Sequence, residues 1–61
     1  MERYAVKSKV DGKAKYIECK SFPKAKNLAV QLSKDGRHDD VKVIVASFDS
    51  SNKLHQVVYN F

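Results

Sequence analysis

YAVKSKVDGKAKYIEC, the stretch from Tyr4 to Cys19, decides the fold. Tyr4, Val6, Ser8 and Val10 alternate with Ala5, Lys7 and Lys9, the period-two pattern of a strand with one face buried. Asp11-Gly12 then supplies the two residues that accept positive φ in a tight hairpin turn. A two-residue loop fixes the register of everything around it. Val10 falls opposite Lys13, Val6 opposite Ile17 and Tyr4 opposite Cys19. Residues directly opposite share a face. Tyr4, Val6, Val10, Ile17 and Cys19 therefore form the core side. Arg3, Lys7, Lys9, Tyr16, Glu18 and Lys20 form the solvent side, basic with one aromatic near its middle.

Downstream of this hairpin the period changes. Ala25, Leu28, Ala29 and Leu32 recur at helical spacing and make one apolar stripe. Pro23 suits a first helical turn, where a missing N–H costs nothing. Ser21 is the expected cap and Gly36 the expected stop, followed by a polar loop Arg37-His38-Asp39-Asp40.

Alternation resumes with Val41, Val43, Val45 and Ser47 against Lys42, Ile44, Ala46 and Phe48. Asp49-Ser50-Ser51-Asn52 reads as a turn. The final run alternates Leu54, Gln56, Val58 and Asn60 with His55, Val57, Tyr59 and Phe61. A loop of two or four residues centred on Ser50-Ser51 sets Val43 opposite Val58 and Ile44 opposite Val57. One face then carries Val41, Val43, Val45, Leu54 and Val58. The other gathers Ile44, Phe48, Val57 and Tyr59, with Phe61 at its margin. A single helix covers only one side of a sheet, so this second group is expected to lie exposed as a protein interface.

The expected fold is α+β, ββαββ: a four-stranded antiparallel sheet with one helix packed on one face. Strand order 2-1-3-4 places the most apolar strand inside the sheet; order 2-1-4-3 is the alternative. Sixty-one residues allow one domain, residues 1–61. The expected core is Val6, Ile17, Leu28, Leu32, Val43 and Val45.

Charge is unevenly distributed. Residues 1–26 hold eight basic side chains and three acidic ones, a surplus equal to the whole net charge of +5; residues 27–61 balance. Such asymmetry suits a polyanion, and equally suits simple solubility. Lys24 and Lys26 sit in the first helical turn with Lys20 just before it, and no acid offsets them. A helix start already attracts anions through its free N–H groups, so these lysines extend the candidate phosphate-binding set.

The residues that chemistry needs are missing. One cysteine, Cys19, and two histidines, His38 and His55, do not make a zinc site. The two glycines, Gly12 and Gly36, are used in turns and leave no phosphate loop. Cys19 alternates with core residues and reads as a small buried hydrophobe. No catalytic residues, metal, cofactor or small-molecule substrate are expected, and the chain reads as no enzyme. A lone thiol, with no apolar leader and no run long enough to span a bilayer, points to a cytoplasmic protein away from membranes.

Two functions fit this pattern. The first is a non-enzymatic nucleic-acid-binding module of low sequence specificity. It would use Arg3, Lys7, Lys9, Tyr16, Lys20, Lys24 and Lys26, with lysines on phosphates and Tyr16 stacked on a base. The alternative is a protein-binding regulator or inhibitor, of the kind phages and mobile elements carry or a homodimer, acting through Ile44, Phe48, Val57 and Tyr59.

Overall fold

A computed structural model describes residues 2–61. Its elements are strand β1 (Glu2–Val10), strand β2 (Lys13–Cys19), helix α1 (Phe22–Lys34), strand β3 (Asp39–Phe48) and strand β4 (Leu54–Asn60). The strands form one antiparallel sheet in the order β2-β1-β3-β4, the order expected.

The first hairpin has the expected register, with Val10 on Lys13, Val6 on Ile17 and Tyr4 on Cys19. Asp11 and Gly12 take φ of 53° and 78°, the pair of positive angles a tight hairpin of this twist requires. Ser21 caps α1, its hydroxyl accepting from the Lys24 N–H at 3.3 Å, and Pro23 occupies the first turn. The helix stops just before Gly36, as expected. Asp35 is the cap residue, and its N–H donates to the Gln31 and Leu32 carbonyls. Its carboxylate accepts from the Arg37 backbone N–H at 3.2 Å and is held below the ordinary aspartate range chiefly by the Arg37 side chain. Gly36 is not in the left-handed region. Asp39 and Asp40, expected in the loop, already belong to β3. Between Lys7 and Lys9 the β1–β3 register shifts by one residue, and Asp40, with φ of 56°, sits in this bulge.

The second hairpin departs from the sequence reading by one residue. Val43 pairs with Tyr59, Ile44 with Val58 and Val45 with Val57. The reason is the loop. Asp49 N–H donates to the Lys53 carbonyl at 3.1 Å and Asn52 N–H to the Asp49 carbonyl at 3.0 Å, so three residues, Ser50-Ser51-Asn52, close the turn. Asn52 takes φ of 63°, the left-handed position that a three-residue hairpin loop needs. An odd loop length moves every β4 side chain to the other face relative to an even one. Val57 and Tyr59 therefore lie on the helix side, where the Tyr59 ring meets Phe22 edge-on at 5.3 Å. Ile44 and Phe48 stay on the outer side, joined by Leu54 and Val58. The exposed group expected from Ile44, Phe48, Val57 and Tyr59 is thus split between two faces.

The Asp49 carboxylate organises this turn. It accepts from the Ser51 N–H at 2.8 Å, the Lys53 N–H at 2.9 Å and His55 Nε2 at 2.9 Å. These bonds, His55 first and the Lys53 amide next, hold its pKa below the ordinary aspartate value. A carboxyl depressed on folding contributes stability that is present above the usual carboxylate range and is lost as pH falls through its folded value. Acidification through that lowered value is therefore expected to loosen the β3–β4 turn. Amide chemical shifts of Ser51 and Lys53 should titrate together there, and Asp49→Ala should abolish that step.

The core is narrow. Val6, Ala25, Ala29, Val41 and Val43 are buried, with Tyr4, Cys19, Phe22, Leu28, Leu32 and Val45 packed partly buried around them. The two alanines of the helical stripe, rather than its leucines, make the closest approach to the sheet. Ile17 is corrected out of the core: at 41% exposure it sits on the edge strand β2, beyond the shelter of α1. Ser8 is buried and is satisfied by His38 Nδ1 at 3.0 Å. The overall extents, 40 × 22 × 15 Å, describe a flat body whose sheet is wider than its helix.

Candidate nucleic-acid interface

Register carries the first-hairpin residues to one place. Val6 and Val43 turn toward α1, so the residues between them turn away. Lys7 lies directly opposite Tyr16 on β2 and opposite Lys42 on β3, and Lys42 in turn lies opposite Asn60 on β4. This Tyr16–Lys7–Lys42–Asn60 row crosses the whole uncovered face. Arg3 occupies the same face two rows away, opposite Ala46, and Lys9 lies beyond Lys7, opposite Ala14. Between these rows runs an apolar one, Ala5–Ile44–Val58, with Glu18 at its β2 end.

Tyr16 is 63% exposed, and the Lys7 ammonium lies 5.5 Å from the centre of its ring. A cation over an aromatic face in solvent is attracted by about 0.5–1 kcal/mol, enough to bias the lysine without immobilising it. The ring thus offers a flat surface with a positive charge at hand.

The face is not uniformly basic. Glu18 shares it, Asp39 pairs with Lys9, and the Asp40 carboxylate lies 3.6 Å from the Lys42 ammonium. Exposed pairs of this kind contribute little and are screened by salt, so Lys42 stays available to a stronger anion. Arg3, Lys7 and Tyr16 are the members of the expected set that share the face and lack an acid directly opposite.

Lys24 and Lys26 do not join them. They are exposed on the first two turns of α1, which packs on the other side of the sheet. The Lys24 N–H already donates to Ser21, so part of the helix-start anion site is filled from within the chain. Lys20 lies in the connection between β2 and α1, between the two faces.

Sequence reasoning missed Lys42. Its signal was present: Lys42 alternates with Val41 and Val43, so it must face away from whatever they face. Among the described residues no group of His, Cys, Asp and Glu is placed to hold a metal ion, and no helix is long and apolar enough to cross a membrane. No protein-family model, characterised protein or solved structure matches the chain.

Proposed function

We propose that this chain is a small non-enzymatic module that binds nucleic acid with low sequence specificity through the uncovered face of β1 and β2. The observation that carries the proposal is Tyr16, an exposed ring on a helix-free sheet face, with Lys7 over it and Arg3 and Lys42 on the same face. Every base has a π-face, so stacking on Tyr16 tolerates any sequence. The neighbouring cations hold the phosphates on either side. A sheet face offers no helix or ribbon to enter a major groove, so an unpaired base is the fitting target.

Fluorescence anisotropy of labelled single-stranded oligonucleotides tests this. Log affinity should fall linearly with log salt, each phosphate contact contributing a slope of about −0.7. Arg3→Gln and Lys7→Gln should each flatten the slope by about that amount. Tyr16→Ala should weaken binding by about 1–3 kcal/mol while leaving the slope unchanged, because stacking releases no counterions. No binding of either DNA or RNA at about 50 mM salt, a permissive condition for a basic protein, overturns the proposal.

A further inference from the structure

The two edges of the sheet are built unequally. On β2, Lys13, Lys15 and Glu18 put charges along the edge, and Lys20 follows directly. Charged side chains, lysine above all, are a usual protection of an edge against pairing with another strand. On β4, Leu54–Asn60 contains no Asp, Glu, Lys, Arg or Pro, and its one titratable-base side chain, His55, is turned to Asp49. Apolar side chains stand exposed on both sides of this edge, between the uncharged polar residues His55, Gln56 and Asn60. Val57 and Tyr59 stand 51% and 44% exposed on the helix side, beyond the cover of α1, and Leu54 and Val58 stand 52% and 48% exposed on the other.

The backbone of β4 is also set for pairing. Phe61 N–H donates to the Val41 carbonyl and Asp49 N–H to the Lys53 carbonyl, which fixes the phase of the β3–β4 ladder. Antiparallel ladders alternate. The N–H and C=O groups of His55, Val57 and Tyr59 therefore turn to β3, and those of Leu54, Gln56, Val58 and Asn60 turn outward from the sheet.

We infer that β4 pairs antiparallel with β4 of a second copy of this chain, about a two-fold axis perpendicular to the sheet at Val57. In that register Val57 meets Val57, His55 meets Tyr59, Gln56 meets Val58 and Leu54 meets Asn60. Every outward N–H and C=O of the four residues then finds a partner. A slip by two residues in either direction leaves groups at the strand ends unpaired.

Charge selects the same arrangement. The first hairpin, with five basic side chains against three acids, lies on β1 and β2 across the sheet from the β4 edge, so edge pairing keeps the two basic hairpins apart. Stacking two outer faces would instead bring Arg3, Lys7 and Lys42 of each copy together. The product is a continuous eight-stranded sheet with both copies' uncovered faces on one side.

Sedimentation equilibrium without nucleic acid, from micromolar to millimolar protein, tests the pairing independently of any polyanion. The expected result is a concentration-dependent species of twice the 6.9 kDa chain mass. Val57→Lys, a change at an exposed position, should return the protein to monomer, whereas Tyr16→Ala should leave the dimer intact. In the wild type, the amides of Leu54, Gln56, Val58 and Asn60 should gain hydrogen-exchange protection as concentration rises. A monomer at millimolar concentration overturns the inference. So does a dimer that survives Val57→Lys, or one in which those four amides stay unprotected.

Discussion

Val43→Asp should abolish cooperative folding. Val43 is wholly buried at the centre of the sheet, between Val6 on β1 and Tyr59 on β4 and beneath α1. No cation is among its core neighbours, and Asp there either stays charged without a partner or takes up a proton and keeps an unsatisfied carboxyl. The first costs several kcal/mol and the second about 1–3 kcal/mol on top of the lost valine burial. The whole margin of a domain this size is about 3–9 kcal/mol, at typical stability per residue. Circular dichroism should show no cooperative thermal transition. Ile44→Asp, one residue along and on the outer face, should still melt cooperatively. A Val43→Asp protein melting close to wild type would mean that β3 does not run through the core.

Ala29→Leu should be the next most damaging change, although it swaps one good helix former for another. Ala29 and Ala25 are completely buried because they are where α1 comes closest to β1 and β3. A larger side chain must push the helix off the sheet. Overpacking of this kind costs about 1–3 kcal/mol. In a domain of this length each kcal/mol lowers Tm by about 4–8 °C, so a drop of roughly 4–24 °C is expected by thermal denaturation. Leu32→Ala, on the partly buried flank of the same stripe, should cost less than the usual 2–5 kcal/mol for truncation of a fully buried leucine. If Ala29→Leu is neutral, the helix stands further from the sheet than described.

The contrast between the two hairpins shows where a sequence specifies register. Asp11-Gly12 admits one kind of turn, and the strands beside it have one apolar and one polar face, so turn and pattern agree. Around Asp49-Ser50-Ser51-Asn52 neither cue is decisive. Asn52 can serve in an even loop or, as it does, in the left-handed position of a three-residue one. The strands beside it are apolar on both faces, so the hydrophobic effect does not choose between registers one residue apart. The choice falls to tertiary contacts that the sequence does not display, such as Phe22 against Tyr59. The same blindness moved Ile17. Alternation assigns a side chain to a face, but only the helix position determines whether that face is covered there. The expected binding set divided for a related reason. Arg3, Lys7, Lys9 and Tyr16 were legible because hairpin register fixes their common face. The placing of Lys24 and Lys26 depends on the side of the sheet that α1 takes, which is the side of Val6 and opposite to Lys7.

We propose that the uncovered β1–β2 face, and not the helix start, meets nucleic acid. Chemical-shift mapping of isotope-labelled protein with a short single-stranded oligonucleotide at low salt tests it most directly. The largest changes should fall on Arg3, Lys7, Tyr16 and Lys42, with Lys24 and Lys26 little affected. Changes centred on Lys24 and Lys26 with Tyr16 undisturbed, or no changes at saturating oligonucleotide, would contradict it.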